Sequence, residues 1–197
     1  MSPAAFRQQW NRHYPDIEPV GYELRNAGAE YWIRFHSLPD SKRYAETDDE
    51  WRILLTRQNL LAAAVLGDEQ DCWLVQSLHK LPPGQVEIAV DGGIDPFGAI
   101  AGYGLESAVV SVREAGTEFE ERWEAFAGIV KWTSGRFDGL LREIADWSAP
   151  TIWYSSETGA IFAPYDGGVD LFLPDESRVS ELAAKHADWL SIHPLGL

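Results

Sequence analysis

The C-terminal segment, residues 151–190, constrains the fold of this chain more than any other segment. Residues 161–165 and 169–173 are both rich in apolar side chains, and Asp-Gly-Gly at 166–168 separates them. Because aspartate and glycine tolerate the positive φ angles of tight turns, this pattern predicts a β-hairpin. Pro174 then suits the first turn of a helix, with acidic residues at the positive end of its dipole. Apolar residues follow at helical spacing, so one face of this helix is expected to pack onto the sheet.

The clearest helix upstream is predicted over residues 47–66. Thr47 and Glu50 have the spacing of a capping box, in which the hydroxyl and the carboxylate each accept a hydrogen bond from a backbone amide at the helix start. A continuous apolar stripe follows, and Gly67 stands where a left-handed cap would end the helix.

Two more helices and four strands are predicted from the spacing of apolar and aromatic residues. The helices span residues 2–14 and a segment that Ser134 caps and Pro150 ends, and the strands span residues 31–36, 71–76, 107–112 and 127–132. Because helices and strands are mixed without a regular βαβ rhythm, we predict an α+β fold with a mostly antiparallel sheet and helices packed on one face. Residues 1–197 are expected to form a single globular domain.

Residues 79–104 interrupt these patterns. They hold three of the eleven prolines and six of the seventeen glycines, so they form either a long functional loop or an insertion that hides short strands such as 86–90. A phosphate-binding loop needs glycines directly between a strand and a helix, usually with a lysine. That spacing is absent here, so we favour a turn-rich loop over a nucleotide site.

The charge of the chain restricts its partners. Thirty-one acidic residues against sixteen basic ones give a net charge of −15, which argues against binding to nucleic acid or to an anionic membrane. The same charge favours a basic protein partner, although acidity also keeps a protein with nine tryptophans soluble. No apolar run reaches the roughly 18 residues that a membrane helix needs, and the first residues lack the features of a signal peptide. We therefore expect a cytoplasmic protein of a prokaryote.

No catalytic, cofactor or metal site is predicted. The five histidines are scattered, and residues 166–170 lack the ligand spacing of a calcium loop. Cys72, the single cysteine, excludes an internal disulfide and falls in a predicted buried strand, where a thiol is inert. No Gly-x-Ser-x-Gly nucleophile motif occurs. His186 on the C-terminal helix is more readily explained by pairing with a nearby carboxylate than by catalysis.

Several aromatic residues beside polar turns have two interpretations. Trp132, Trp153 and Tyr154 are either core residues or exposed anchors of an interface. Because most of the other tryptophans stand on apolar faces, we favour the core.

Two segments of the chain resemble a bacterial family. Residues 31–65, followed by Asp-Cys-Trp-Leu-Val at 71–75, resemble its N-terminal half, and residues 161–190 resemble its closing segment. There a Tyr-Asp-Asp-Arg-Gly-x-Asp turn precedes a helix that ends in Asp-Trp. The matching residues are Tyr165, Asp166, Gly168, Asp170, Asp188 and Trp189. The arginine of that turn is missing here and the turn is one residue shorter. The family is the one called domain of unknown function 3885, and the resemblance implies no activity.

These observations lead to a functional hypothesis. A small acidic protein without catalytic residues resembles the immunity proteins with which bacteria neutralise secreted toxins, so we expect a non-enzymatic protein that binds a basic partner, its cognate toxin. The expected contact residues are acids in predicted exposed turns and helix starts: Asp48, Asp49, Glu118, Glu120, Glu121, Asp166 and Asp170. The alternative is a small enzyme or ligand-binding protein that uses the 79–104 loop and the 165–170 turn. That alternative predicts a pocket with convergent polar groups and shifted pKa values. The sequence does not indicate an oligomeric state.

Overall fold

The computed structural model of the protein describes residues 2–80, 98–114, 120–146 and 150–190, without the side chains of 79–80, 110–114 and 120–122. Within these residues, seven strands form one antiparallel sheet. The strands are β1 (Trp32–His36), β2 (Asp71–Lys80), β3 (Glu106–Glu114), β4 (Glu120–Lys131), β5 (Thr151–Tyr154), β6 (Ile161–Tyr165) and β7 (Gly168–Phe172). Their order is β1-β7-β6-β5-β2-β4-β3, which makes β1 a neighbour of the distant strand β7.

Six α-helices occur among the described residues. They are α1 (Pro3–His13), α2 (Gly21–Asn26), α3 (Asp48–Leu66), α4 (Gly98–Gly102), α5 (Asp138–Ala145) and α6 (Glu176–Lys185). In the described ranges, no helix has the length and apolar character needed to cross a membrane.

The sheet separates two apolar clusters. Side chains alternate along a strand, so Cys72 and Leu74 of β2 belong to one cluster while Trp73 and Val75 belong to the other. Helices α3, α5 and α6 supply buried residues to the first cluster, whereas α1 and α2 supply buried residues to the second. The predicted fold class is confirmed, since helices pack against an antiparallel sheet in a single α+β domain. The two N-terminal helices lie on the face opposite to the larger ones.

The start of α3 agrees with the sequence pattern. Thr47 is the N-cap, its hydroxyl accepts a hydrogen bond from the Glu50 amide, and the Glu50 carboxylate accepts one from the Thr47 amide. The hairpin of β6 and β7 is also confirmed. The helix after it begins at Glu176 rather than at Pro174, because the Asp175 side chain accepts a hydrogen bond from the Arg178 amide and so caps the helix.

The predicted cap at Ser134 is wrong, since α5 begins at Asp138. The preceding residues form a turn that other parts of the chain hold in place. The Gly135 amide donates to the side-chain oxygen of Asn59 at 2.8 Å, and the Ser134 amide donates to the Asp68 carboxylate at 3.3 Å. Because these acceptors come from distant residues, local sequence did not reveal them.

The ambiguous aromatic residues belong to the core. Trp132, Trp153 and Tyr154 are all fully buried. The rings of Trp132 and Trp153 meet edge to face with centroids 5.5 Å apart, and the hydroxyl of Tyr154 donates to the backbone carbonyl of Gln9 at 2.8 Å. The interpretation as core residues is therefore confirmed.

Residues 79–104 are described only at their two ends. Strand β2 continues to Lys80, beyond the predicted end at 76, and α4 is a short helix that the sequence pattern did not indicate. The predicted strand 86–90 lies outside the described residues. Helix α2 lies between the predicted elements 2–14 and 31–36, where the sequence pattern indicated no helix.

Candidate functional site: a polar cleft at the β6–β7 hairpin

The β6–β7 hairpin brings its turn against strand β1. Gly168 of β7 lies opposite His36 of β1 in the antiparallel register. A Cβ atom at position 168 would overlap the carbonyl oxygen of Phe35 and would lie 2.9 Å from the hydroxyl oxygen of Tyr165. Glycine at this position therefore permits the close approach of the two strands.

The same register places Asp170 beside Arg34. The two residues are cross-strand neighbours, and the Nε and Nη2 atoms of Arg34 donate to the two carboxylate oxygens of Asp170 at 2.7 and 2.9 Å. Their side chains are only 9% and 5% exposed. The guanidinium carbon of Arg34 also lies 4.8 Å from the centroid of the Tyr165 ring and 5.4 Å from that of Trp32. Burial lowers the pKa of Arg34, but the hydrogen bonds and charge of Asp170 outweigh it, so the pKa is raised.

Asp166, in the turn of the hairpin, forms an ion pair with a second arginine, Arg43. The Nε and Nη2 atoms of Arg43 lie 2.9 and 2.6 Å from its Oδ2 atom, and the hydroxyl of Tyr44 donates to the same oxygen at 3.0 Å. Both Asp166 and Asp170 are buried. The expectation that these acids are exposed is therefore wrong, because arginines from other segments compensate their charge and allow them to be buried.

These two ion pairs form part of the wall of a cleft of about 470 Å³. We call it the polar cleft. Its charged and aromatic lining consists of Tyr22, Arg25, Arg34, His36, Arg43, Tyr165, Asp166 and Asp170. Its apolar lining includes Val20, Ile152 and Pro164. Among the described residues, the charged side chains of the lining are three arginines and two aspartates. This described lining therefore carries an excess of positive charge in a chain of net charge −15.

Arg25 of α2 carries this excess charge. Its Nη1 atom lies 3.9 Å from Oδ2 of Asp170, which is too far for a hydrogen bond. The side chain is 31% exposed, whereas that of Arg34 beside it is almost fully buried. Arg25 is therefore accessible from the cleft and only loosely paired.

The pKa of His36, another lining residue, is lowered. Burial lowers its pKa first, and the nearby charges of Arg34 and Arg57 lower it further. Its Nε2 atom is buried and has no hydrogen-bond partner among the described residues. Burial also raises the pKa of the Tyr165 hydroxyl. At neutral pH both groups are uncharged, so the arginines and aspartates carry the charge of the described cleft lining.

The other predicted contact residues lie elsewhere. Asp48 and Asp49 are exposed in the first turn of α3, where Asp49 pairs with Arg52. Glu120 and Glu121 belong to β4, but their side chains lie outside the described part. Glu118 also lies outside the described residues. The structure brings Asp166 and Asp170 together in the polar cleft, and it does not add Asp48 or Asp49 to them.

The sequence interpretation missed the three arginines of the cleft. One signal was present in the predicted strand 31–36, where alternation puts Arg34 on the same face as Trp32 and His36. A charged side chain between aromatic ones in a strand needs a partner once that face is covered. The partner is Asp170, which is 136 residues away in the sequence.

Cys72 is buried, as expected for a strand residue of the core. Burial raises the pKa of its thiol to about 12, so the reactive thiolate is scarce at neutral pH. Among the side chains that the structure describes, no three metal-ligating groups converge.

Comparison with known protein families gave a match over residues 20–194 of the chain. No curated protein and no solved structure matched the chain. One family did match, over a range that contains every lining residue of the polar cleft and excludes α1. The resemblance carried by the hairpin and by the segment from β1 to β2 is thereby confirmed. The chain belongs to the family described as Domain of unknown function (DUF3885).

Proposed function

We propose that this protein binds a small ligand in the polar cleft and does so without catalysing a reaction. The observation that carries the proposal is the pair formed by Arg34 and Asp170 in a cleft of about 470 Å³. Ligand sites in proteins are clefts of roughly 300–1,000 Å³ with a few convergent polar groups. A buried ion pair adds little net stability compared with apolar residues of the same size. Its presence in a cleft is therefore better explained by recognition than by stability.

The hydrogen bonds in the cleft favour binding over catalysis. Both carboxylates accept hydrogen bonds from arginine side chains, so neither is free to act as a general base. His36 is neutral but its Nε2 atom is buried, and the Tyr165 hydroxyl stays protonated. The carboxylates can accept hydrogen bonds from a ligand, and the protonated Tyr165 hydroxyl can donate one to it. A cytoplasmic location remains part of this proposal.

A fragment screen tests the proposal. Small compounds, charged and neutral, are added to the isotope-labelled protein, and backbone amide resonances are followed by NMR. We expect at least one compound to shift resonances of residues 34–36 and 163–170. Hits that map only to other surfaces, or a screen without hits, would contradict a ligand site in the cleft.

A pair of arginine variants provides the matched control. Arg43 and Arg52 each pair with one aspartate and are both exposed, but only Arg43 lines the polar cleft. Arg43→Ala is expected to weaken binding of the hit, and Arg52→Ala is expected to leave it unchanged. Equal effects of the two substitutions would indicate a general charge effect rather than a site.

A second candidate function is that of an acidic protein that binds a basic protein partner, such as a cognate toxin. The observation that favours it is the exposure of Asp48 and Asp49 at the start of α3, together with the net charge of −15. Co-expression with the product of the adjacent upstream gene tests this proposal. Rescue of growth and a salt-sensitive complex, weakened by Asp48→Lys and Asp49→Lys, would support it. Absence of both toxicity and complex would exclude that gene product as the partner.

A further inference from the structure

We infer that the ligand of the polar cleft carries a carboxylate or phosphate group and that Arg25 is the main residue that binds it. This inference rests on the proposed ligand-binding function. It adds the chemical class of the ligand and the residue that recognises it.

The first argument is the balance of charge within the cleft. Asp170 accepts two hydrogen bonds from Arg34, and Asp166 accepts hydrogen bonds from Arg43, so each aspartate is neutralised by one arginine. Among the described residues, the one ion pair of Arg25 is a loose contact of 3.9 Å to a carboxylate that Arg34 already occupies. An oxyanion on the ligand would therefore bind to Arg25 without displacing an existing hydrogen bond of that residue.

The second argument is the geometry of the arginines. A guanidinium group has five N–H donors in a planar arrangement that matches carboxylate and phosphate oxygens. Arg43 binds Asp166 through Nε and Nη2, and it lines the same cleft as Arg25. The Asp166 carboxylate thereby holds Arg43 in a defined orientation. Because Arg43 lines the same cleft, we expect it to contribute a second contact to an anion bound by Arg25.

The surroundings of His36 support a positive potential at this place. The charges of Arg34 and Arg57 act on its ring in the same direction as burial, toward the neutral form. Of these two cations, Arg34 lines the cleft and Arg57 does not.

The third argument concerns the uncharged part of the ligand. Val20 and Ile152 line the cleft and are almost fully buried, and Pro164 lies beside them. Tyr22, which also lines the cleft, is partly exposed. An apolar body attached to the anionic group would pack mainly against the exposed ring of Tyr22, since the buried side chains leave little surface for contact. The expected ligand is a small organic acid or phosphate monoester with an apolar portion.

The experiment uses four probes at constant ionic strength: benzoate, its neutral analogue benzamide, phenyl phosphate and inorganic phosphate. Binding to the full chain is followed by NMR shifts of residues 163–170. We expect benzoate or phenyl phosphate to bind at least about tenfold more tightly than benzamide, as charge-assisted hydrogen bonds imply. Benzoate and phenyl phosphate together distinguish a carboxylate from a phosphate site, and inorganic phosphate shows how much the apolar body contributes.

The variants assign the effect to Arg25. Arg25→Gln is expected to remove the preference for the anion over benzamide, and Arg25→Lys is expected to retain part of it, because lysine keeps the charge but lacks the planar donors. Arg52→Gln, on the exposed surface of α3, is the control and is expected to bind like the unaltered protein. Dispersed NMR spectra of each variant verify that it is folded.

Each contrary outcome has a distinct meaning. If benzamide binds in the cleft as tightly as benzoate, the anionic class is wrong and the ligand-binding function stands. If the anions bind in the cleft but Arg25→Gln leaves their affinity unchanged, the assignment to Arg25 is overturned. If no probe shifts the cleft resonances, the inference fails, and the fragment screen alone then decides the proposed function.

Discussion

Two pairs of acidic residues occupy opposite environments in this protein. Asp48 and Asp49 begin α3, and their carboxylates are in solvent, where the side chain of Asp49 is 79% exposed beside an Arg52 that is 70% exposed. Asp166 and Asp170 belong to the β6–β7 hairpin, and both are buried. From the sequence alone, all four residues are predicted to be exposed acids at a helix start or in a turn.

The difference shows that the partner, rather than the residue type, decides what an acidic side chain does. An exposed pair such as Asp49 and Arg52 gains about 0–1 kcal/mol, because water already solvates both charges. The pair of Asp170 and Arg34 has lost that solvation, so each charge depends on the other. The hairpin acids are therefore sensitive positions, and the helix-start acids are tolerant ones.

The largest effect is expected from Asp170→Ala. The substitution leaves Arg34 buried without its carboxylate, which is expected to lower the free energy of unfolding by about 3–5 kcal/mol. Urea denaturation followed by tryptophan fluorescence measures the change. Asp49→Ala is the control and should stay within about 0.5 kcal/mol of the unaltered protein. If both variants lost a similarly small free energy of unfolding, the buried pair would be no more sensitive to substitution than the exposed one.

A smaller loss, of about 1–3 kcal/mol, is expected from Gly168→Ala. The added methyl group would overlap the Phe35 carbonyl oxygen and push β7 away from β1. Gly139 of α5 is the matched control, because no atom of the described residues beyond its chain neighbours and its own helix backbone lies within 4 Å of an added Cβ there. Gly139→Ala should be neutral or stabilise by up to about 1 kcal/mol, since alanine favours helices. Urea denaturation of both variants provides the measurement, and an equally tolerant Gly168 would contradict the close approach.

Thr47→Ala tests how much the N-cap contributes to stability at the exposed start of α3. We expect a loss of about 1 kcal/mol, because the hydroxyl that accepts a hydrogen bond from the Glu50 amide is removed. This loss should exceed that of Asp49→Ala, since capping satisfies a backbone amide whereas the exposed ion pair competes with water. Thermal unfolding measures both, and Thr47→Ser should restore most of the stability. A greater loss from Asp49→Ala would reverse the order.

The smallest expected effect is a loss of stability at acid pH. A hydrogen bond from Lys42, followed by backbone amides of Glu46 and Thr47, lowers the pKa of Glu50 from 4.5 to about 2. Since the folded-state pKa lies below the unfolded value, Glu50 contributes stability above pH 4.5, and the contribution is lost as the pH falls toward 2. NMR titration of the Glu50 carboxyl carbon measures the folded-state pKa directly. Lys42→Gln should raise it, and a midpoint near 4.5 in the unaltered protein would contradict the assignment.

Local patterns in the sequence determined several elements of the fold. The capping box at Thr47 and Glu50 set the start of α3, and the Asp-Gly-Gly turn with flanking apolar residues indicated the hairpin. These signals depend on hydrogen bonds and side-chain spacing within a few residues of one another, so they can be recognised without knowledge of the fold. The antiparallel α+β class followed from the order of such elements.

The tertiary structure alone decided the character of the hairpin acids and hence the candidate site. Asp170 and Arg34 are 136 residues apart, and Asp166 and Arg43 are 123 residues apart. The pairing of β1 with β7 brings Arg34 to Asp170, and the segment after β1 brings Arg43 to Asp166. This compensation of charge makes burial of the carboxylates tolerable. The sequence determined that acidic side chains stand in a tight turn. The strand order determined that arginines surround them there, because burial and charge compensation depend on neighbours in space rather than along the chain.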